Sequence, residues 1–487
     1  MVLQQPISTR SPDLTFPPPP NLNSVGFVPF LGKHLHREFD LLAKKYGNIF
    51  QLRVGKRSLI VLNGLEAIKE ALVKQQDIFN VRADFEVFQQ LPQSQFLELK
   101  SGKPWKKHHS IVGQVIHSFA IAKSDTLESW AIDEATTLTD MFLKLGNRPF
   151  DPDLYLPLAT LSFMQRLIFG NKGWGEDLEP DPAFVTTARN LKHIPKVLEA
   201  VKLEYIPAIG QPIFKLSRFK TVRNFLKGLT ALEHYVAKNV KEHQASFDPD
   251  NLRDITDGLL QASTELTESD RSELKLSEND IVNGSLMQFA GAGAGLPSII
   301  LRWALLYAIA YPDIQAEIQT ELDEVVGRDR KVGIEHRGKL PFTRACINEI
   351  LRHSSITTMP PITYATNTDT VLKGYFIAKN TPVLINYYSL TRDERYWQQP
   401  EKFDPYRFLD ENGKLRNSLI DKFYPFGVGS RRCVGEYLGR FSIFLFLTNL
   451  LHRYKFERVP GKKLSLEPQP GVFVTPKNYR VLVQPRF

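Results

Sequence analysis

The segment Phe426–Gly435 constrains the fold of this chain more than any other, because it places one cysteine in a glycine-rich loop directly before a helix. It is followed by the amphipathic run 436–445, which is typical of a helix. Glycines such as Gly427 let backbone N–H groups approach the sulfur of Cys433, and the start of the helix adds a positive dipole end. These groups are expected to stabilise a thiolate, the form of cysteine that binds metals.

Two arginines beside the cysteine argue against an ordinary buried thiol. Arg431 and Arg432 place positive charge next to Cys433, and the guanidinium of Arg431 can pair with a carboxylate. A buried structural residue is the commoner role of a lone intracellular cysteine, but it needs neither glycines nor arginines. The loop therefore favours a thiolate metal ligand.

The pattern Phe-x-x-Gly-x-Arg-x-Cys-x-Gly resembles the haem-binding signature of the cytochrome P450 family. Its defining positions are all present: Phe426, Gly429, Arg431, Cys433 and Gly435. The resemblance implies haem b as the cofactor, with Cys433 as the proximal iron ligand and Arg431 holding a haem propionate. It also implies the fold of that family, mainly α with a minor β region and with the haem between a long distal helix and the cysteine loop.

A second segment is expected at the haem. Trp105 and His109 lie four positions apart, on one face of a predicted helix. In the family the motif Trp-x-x-x-Arg donates hydrogen bonds to a propionate; here a histidine replaces the arginine, and its charge depends on its surroundings. A surface helix with a packed tryptophan is the alternative. Within the cysteine loop, the resemblance also assigns Phe426 and Gly427 to the cofactor site.

The run 278–311 predicts a long helix, whose segment 289–297 reads Phe-Ala-Gly-Ala-Gly-Ala-Gly-Leu-Pro. Each glycine in a helix interior costs roughly 0.5–1 kcal/mol relative to alanine, so a flat group is expected to pack there. By the resemblance this group is the haem, on its distal face.

The catalytic part of this helix departs from the family pattern. Oxygen-activating members carry Ala/Gly-Gly-x-Asp/Glu-Thr, in which the acid and the hydroxyl relay protons. One alignment places Gly295 and Leu296 at these two positions, and a second places Gly293 and Ala294 there. Both relay groups are missing in either alignment.

The missing relay indicates a substrate that already contains an O–O bond. A haem-thiolate enzyme without the relay is poorly equipped to activate molecular oxygen, whereas cleavage of a peroxide needs no external proton delivery. In this respect the chain resembles allene oxide synthases, hydroperoxide lyases and epoxyalcohol synthases, which rearrange fatty-acid hydroperoxides without a reductase or NADPH. We therefore expect such an enzyme, with a lipophilic substrate.

Two other functions stay open at the level of sequence. A monooxygenase would hydroxylate a lipophilic substrate, such as a fatty acid or steroid, with electrons from an NADPH-dependent flavin reductase. The reductase would dock on a cationic proximal face, for which the candidates are Lys106, Lys107, Lys422 and Arg432. A haem transport or sensor protein would need a second iron ligand, and the stretch 289–297 holds no His or Met.

A structural network is expected behind the haem. Glu349 and Arg352 are spaced as Glu-x-x-Arg on a helix, which alone makes only a weak salt bridge. The segment 400–408 matches the family pattern Pro-x-x-Phe-x-Pro-x-Arg-Phe and contains Arg407. The resemblance implies that Glu349, Arg352 and Arg407 form a buried network that holds the cysteine loop.

Alternating apolar residues predict a small sheet near the N-terminus, with strands at 46–55 and 58–62 and a helix at 64–74. Strands at 372–376 and 381–388 are expected to complete this sheet. The segments 357–361 and 471–475 are expected to line the pocket, the second as a hairpin turn.

Residues 1–25 are predicted to form an extended, proline-rich leader, and residues 26–487 a single catalytic domain. The apolar stretch 205–214 falls where family members have a substrate-entry loop, but interior packing explains its composition better. The N-terminus has no apolar span, so the protein is expected to be cytoplasmic or peripherally membrane-associated, without a transmembrane anchor.

The net charge of +9 and pI of 9.2 fit an anionic membrane surface or an acidic protein partner. No nucleic-acid motif accompanies this charge, so nucleic acid is not an expected partner. With 2 cysteines, Cys346 and Cys433, no disulfide framework is expected.

Overall fold

The computed structural model describes residues 34–54, 57–84, 96–146, 148–170, 220–469, 471 and 473–487. The predicted leader 1–25 and the apolar stretch 205–214 lie outside these residues. The described part is mainly helical with a minor β region, which confirms the expected fold class.

The helices account for most of the described residues. In chain order they are α1 (Leu35–Tyr46), α2 (Leu65–Lys69), α3 (Gly102–Ala122), α4 (Ser124–Leu145), α5 (Leu156–Phe169), α6 (Lys220–Ala245), α7 (Ile255–Thr264), α8 (Glu268–Ser272), α9 (Ser285–Gln288), α10 (Ala294–Ala310), α11 (Pro312–Val326), α12 (Pro341–Ser354), α13 (Tyr387–Arg392), α14 (Asn417–Ile420) and α15 (Glu436–Arg453). Proline stands in the first turn of α5, α11 and α12, where its missing N–H costs no helical hydrogen bond.

The centre of the molecule is a set of helices that are apolar on nearly every face. Helices α5, α10 and α15 are buried along most of their length, and α10 packs against the other two. A helix with apolar residues all round is stable only inside a protein or a membrane. These three helices therefore form the core on which the site is built.

The distal helix, residues 280–310, is continuous and agrees with the predicted run 278–311. It consists of a π-helical turn (Asp280–Gly284), α9, a second π turn (Phe289–Gly293) and α10. By length and composition it could cross a membrane, but 72% of its most apolar window is buried inside the protein. Its apolar character is thus explained by the core of the fold.

The β region consists of short strands. They are β1 (Ile49–Val54), β2 (Arg57–Leu62), β3 (Val81–Arg82), β4 (Tyr364–Ala365), β5 (Thr370–Leu372), β6 (Tyr375–Ile377), β7 (Pro382–Ile385), β8 (Tyr454–Arg458), β9 (Pro468–Gln469), β10 (Thr475–Pro476) and β11 (Val481–Pro485). The main sheet has the order β1-β2-β7-β4-β3, with β1 and β2 antiparallel and β7 parallel to β2. The N-terminal strand pair and the contribution of β7 agree with the predicted sheet.

Two predicted details of the sheet are wrong. The strand expected at 372–376 does not join the main sheet, because β5 and β6 pair with each other across a tight turn. In that turn Lys373 and Gly374 have φ values of +52° and +88°, which fold the chain back at once. The strand expected at 381–388 ends at Ile385, and helix α13 begins at Tyr387.

Candidate haem site

The cysteine loop is held by its own backbone and by one glycine. The N–H of Cys433 donates to the carbonyl of Phe426 at 2.9 Å, which closes the loop. Gly429 has a φ of +76°, and a Cβ there would overlap the carbonyl oxygen of Leu72. Only glycine satisfies both conditions, so the loop rests directly on the turn that follows α2.

Burial has the largest effect on the pKa of the Cys433 thiol. Desolvation raises its pKa to about 11, although the Gly435 N–H acts in the opposite direction, and the carboxylate of Glu436 raises it further. The N–H of Gly435 acts in the direction that the sequence predicted, but burial of the sulfur outweighs it. A bound metal removes this cost, since a coordinating thiol is deprotonated outright.

Arg431 lies flat against Trp105, with the guanidinium carbon 3.8 Å from the ring centroid. Its Nε donates to the carbonyl of Asn80 at 2.9 Å and its Nη2 to the carbonyl of Lys100 at 2.6 Å. The third nitrogen, Nη1, is buried and has no hydrogen-bond partner among the described residues. Arg431 thus keeps one donor that suits an anionic group, as the propionate assignment requires.

His109 completes this basic cluster. Its ring lies 5.1 Å from that of Trp105, and its Nε2 is buried without a partner among the described residues. The other ring nitrogen hydrogen-bonds to the backbone carbonyl of Arg432 and therefore carries a hydrogen. Burial lowers the pKa of His109, so its ring is neutral at neutral pH. Nε2 becomes a donor only when a nearby anion raises this pKa and the ring takes up a second proton.

Arg82 belongs to the same cluster, although no sequence motif singled it out. Burial first and the charge of Arg82 second lower the pKa of Arg431 to about 9. Arg82 donates to the carboxylate of Glu98 at 3.0 Å and to the carbonyl of Ile362 at 3.0 Å. The charge of Arg82 acts on Arg431 only because distant parts of the chain meet here, so no local pattern could have revealed the pair.

The four residues proposed for the catalytic part of the distal helix do not face the same way. A Cβ at Gly293 would lie 2.7 Å from the Cε of Met164, so Gly293 packs against α5, and Ala294 is buried. A Cβ at Gly295 would meet no atom within 4 Å, and Leu296 is only half-buried. Open space therefore lies on the side of Gly295 and Leu296, where a flat cofactor and a substrate have room.

A hydroxyl that sequence reasoning missed lies one turn further on. Ser298 is buried, and its Oγ donates to the carbonyl of Gly295 at 2.7 Å. Serine hydroxyls in helices commonly bond back to the preceding turn, so this contact satisfies Ser298 within its own helix. Its hydrogen is thereby committed to the backbone.

Glu349, Arg352 and Arg407 lie together in one network, as the sequence predicted. The guanidinium of Arg352 donates to both carboxylate oxygens of Glu349, at 2.7 and 2.8 Å, and Arg407 donates to the same carboxylate at 3.3 Å. The side chains of Glu349 and Arg352 are 0% exposed. Arg352 also donates to the carbonyls of Thr391 and Pro400, at 2.7 and 2.9 Å, which satisfies its remaining charge.

The two segments expected to line the pocket touch each other. The N–H of Val474 donates to the carbonyl of Ile356 at 2.8 Å, next to the segment 357–361. Strands β9 and β10, which flank the predicted hairpin turn, pair antiparallel; residues 470 and 472 between them lie outside the described residues.

The residues present fit a haem. Cys433 is exposed on its loop, Gly295 borders open space, and Arg431 and His109 each turn an unsatisfied nitrogen toward a buried position. A cysteine ligand, open space beside Gly295 and two buried nitrogens without partners among the described residues suit an iron porphyrin with propionates.

Comparisons with known proteins agree with this geometry. The family model for cytochrome P450 matches residues 16–483. The chain is 37% identical over 458 residues to the polybrominated aromatic compounds synthase of Pseudoalteromonas luteoviolacea, covering 94% of this chain and 92% of that protein. It is 33% identical to cytochrome P450 1A5 of Gallus gallus and 32% identical to cytochrome P450 1A1 of Mesocricetus auratus, covering 96% and 94% of this chain and 88% and 87% of those proteins. The chain therefore belongs to the cytochrome P450 family, whose members bind haem through a cysteine thiolate, and in this chain that cysteine is Cys433.

Proposed function

We propose that this haem-thiolate enzyme rearranges a fatty-acid hydroperoxide, giving an allene oxide, an epoxyalcohol or cleavage products, without external oxygen or a reductase. The proposal rests on the composition of the distal helix. Its segment 289–297 contains no acid and no hydroxyl, and the hydroxyl of Ser298 is bonded to the carbonyl of Gly295. A substrate with its own O–O bond does not depend on such groups.

In this proposal the chain binds and orients, and bound haem supplies the iron that cleaves the peroxide bond. Arg431 and His109 hold the propionates, and Cys433 supplies the thiolate. Gly295 leaves space for the hydroperoxide group, and the side chain of Leu296 keeps water away from the reacting atoms, which favours rearrangement over hydrolysis or reduction.

The cations expected to bind a reductase are engaged in contacts within the protein. Lys106 pairs with Asp77 at 2.7 Å and Lys107 with Asp270 at 3.1 Å. The remaining two have partners as well: Lys422 lies 5.0 Å from the ring of Tyr396, and Arg432 pairs with Glu436. These contacts lower the net positive potential available to an acidic partner.

A reductase-dependent oxidation of an aromatic or other lipophilic substrate is the second candidate. The observation in its favour is the similarity, along 94% of this chain, to a bacterial protein named as a synthase of polybrominated aromatic compounds. In this case water would supply the protons, and an NADPH-dependent flavin reductase the electrons.

The two candidates separate in one experiment. The haem-loaded protein is mixed with a polyunsaturated fatty-acid hydroperoxide in the absence of NADPH and reductase, and loss of the conjugated-diene absorbance is followed. Catalytic turnover supports the first candidate. Absence of turnover with several hydroperoxides, together with oxidation of a bromophenol when NADPH and a flavin reductase are added, supports the second.

A matched variant sharpens this test. The double substitution Gly295→Asp with Leu296→Thr introduces an acid and a hydroxyl, and a side chain at Gly295 meets no atom within 4 Å of its Cβ. If the absent relay determines the chemistry, the variant loses hydroperoxide rearrangement and gains NADPH-dependent oxidation relative to the parent.

A further inference from the structure

Four aromatic rings form a stack that starts in the core and ends near the surface. Tyr307 of α10 lies parallel to Phe403, with ring centroids 4.3 Å apart, and to Trp303, with centroids 5.6 Å apart. Tyr311 stacks on Phe403 at 5.0 Å and lies 6.3 Å from Tyr307. Trp303 and Tyr307 are each 2% exposed, whereas Tyr311 is half-buried. The stack is therefore a continuous path of π-systems from the interior outward.

The hydroxyl of Tyr307 has an unusual partner within this stack. It lies 2.7 Å from Nδ1 of His353, while Nε2 of the same ring lies 3.0 Å from the carbonyl of Glu401. A carbonyl only accepts, so Nε2 carries the hydrogen and Nδ1 offers a lone pair to the phenol. Burial and the neighbouring Arg392 lower the pKa of His353 to about 3, so this lone pair is available at neutral pH.

This arrangement differs from an ordinary buried tyrosine. Burial raises the pKa of Tyr307, so the phenol keeps its proton in the resting protein. Removal of one electron from a phenol makes its O–H strongly acidic, and the proton must then have a base within hydrogen-bond distance. Nδ1 of His353 is such a base. Tyr479, a half-buried tyrosine beside α10, offers a contrast. Its hydroxyl donates to the carbonyl of Arg302 at 2.6 Å, and a carbonyl cannot take a proton at neutral pH.

The inner end of the stack lies on the distal helix, about two turns beyond its open segment at Gly295 and Leu296. Trp303 lies seven residues after Leu296 on the distal helix, which is about 10 Å along the helix axis. Its Nε1 donates to the carbonyl of Val474 at 3.1 Å, and the N–H of Val474 donates to Ile356. Val474 lies in the segment 471–475 and Ile356 directly before the segment 357–361, the two segments expected to line the pocket.

The outer part of the stack borders a polar cavity of about 280 Å³, lined by Trp303, Tyr307, Tyr311 and His353 among others. Arg37 and Glu467 line the same cavity, and their side chains are 42% and 66% exposed. A small water-soluble molecule therefore has a route from solvent to the edge of the stack.

We propose that Tyr307 and His353 form a proton-coupled redox site. When an organic hydroperoxide has oxidised the haem and no substrate is bound to be oxidised, Tyr307 gives one electron to the haem. The electron leaves Tyr307 through the ring of Trp303. The O–H bond of Tyr307 breaks, and its proton forms an N–H bond at Nδ1 of His353. A small reductant of the ascorbate type in the cavity then supplies one electron, and the proton returns to the phenoxyl oxygen. This inference does not depend on which of the two proposed activities is correct.

The test is a rapid-freeze electron paramagnetic resonance measurement on the haem-loaded enzyme mixed with cumene hydroperoxide in the absence of substrate. Wild-type protein is expected to give a tyrosyl radical, which narrows when the tyrosines are ring-deuterated and disappears when ascorbate is added. The chain has 16 tyrosines, so the assignment needs a variant. Tyr307→Phe keeps the ring in the stack and is expected to abolish the tyrosyl signal, whereas the matched control Tyr479→Phe is expected to retain it.

His353→Asn tests the base, because an amide can accept the hydrogen bond but cannot take the proton. The signal is expected to be lost in this variant too, and haem is expected to bleach faster under hydroperoxide in both Tyr307→Phe and His353→Asn than in Tyr479→Phe. Absence of any tyrosyl radical in the wild type, its persistence in Tyr307→Phe or His353→Asn, or its equal loss in Tyr479→Phe would each overturn the proposal.

Discussion

Pro297 lies four residues after Gly293 in the distal helix, so the carbonyl of Gly293 receives no amide hydrogen bond from its usual donor. The π turn Phe289–Gly293 ends at the same residue. A π turn holds extra backbone within a helix and is frequent at functional sites. The irregular part of the distal helix thus lies in the segment that is expected to pack on the cofactor.

Pro297→Ala is expected to restore a regular helical hydrogen bond and raise the free energy of unfolding by up to about 3 kcal/mol, the difference between Pro and Ala inside a helix. Chemical denaturation of the haem-loaded protein measures it. Pro341→Ala is the control, because Pro341 stands in the first turn of α12 and its replacement should gain little. A variant no more stable than its parent would show that contacts around α10 require the irregular turn.

Glu349→Gln is expected to destabilise the protein by about 3–5 kcal/mol, because it leaves Arg352 as an uncompensated buried charge. Loss of haem from the cysteine loop should accompany the loss of stability. Denaturation midpoints and haem content after purification measure the two effects.

The control for this substitution is Glu401→Gln. Glu401 also pairs with an arginine, Arg392 at 3.0 Å, but its side chain is 72% exposed. A pair so open to solvent contributes at most about 1 kcal/mol. Equal effects of the two substitutions would contradict the structural role of the Glu349 network.

The stability of the protein is expected to fall in mild acid. Burial lowers the pKa of His36 and of His353 to about 3 and that of His108 to about 4. Between about pH 6.5 and pH 4 the unfolded chain binds protons at these residues and the folded chain does not. For each of these histidines, the free energy of unfolding therefore decreases by about 1.4 kcal/mol for every unit by which the pH falls. Urea denaturation across this range checks the slope, which should shrink in His36→Phe.

His243 should respond in the opposite direction. Desolvation lowers its pKa, but the hydrogen bond from Nε2 to Asp254 at 2.8 Å and the charge of Asp254 outweigh it, so the pKa is raised. The contribution of His243 to the free energy of unfolding is therefore complete below about pH 6.5, and it is lost as the pH rises through the folded-state pKa. His243→Gln should destabilise the protein more at pH 6 than at pH 9, on the order of 1 kcal/mol in difference; a constant difference would contradict this.

His109→Arg is expected to make haem retention independent of pH. In the parent, His109 donates to a propionate only when it carries a second proton, so haem should dissociate faster as the pH rises above the histidine pKa. An arginine keeps its charge throughout. Transfer of haem to an excess of a haem-scavenging apoprotein measures the rate, and parallel pH profiles for parent and variant would disprove the role of His109.

Motifs that are compact in sequence predicted this molecule well. The spacing in Glu349-x-x-Arg352 places both side chains on one helix face, and the Cys433 loop carries its own glycines, so the residue pattern alone indicates the geometry. The pairing of β5 with β6 was missed because alternation shows that a strand exists and not which neighbour it bonds.

Long-range contacts account for the other differences. Arg431 donates hydrogen bonds to the carbonyls of Asn80 and Lys100, which lie 351 and 331 residues away in the sequence. The residues around Asn80 and Lys100 form no motif that would predict these bonds. The raised pKa of Cys433 likewise depends on how the folded protein desolvates its sulfur. Such quantities are properties of the assembled structure, so a linear pattern does not contain them.

The burial of Glu349 and Arg352 also sets an order of events during synthesis. Helix α12 leaves the ribosome before its partners, because Thr391 and Arg407 lie 39 and 58 residues further along the chain from Arg352 and Glu349 respectively. Burying either ion before these partners arrive would cost several kcal/mol, so the pair stays hydrated on the nascent chain. The cysteine loop follows later still, and capture of the cofactor is thus confined to a nearly complete polypeptide.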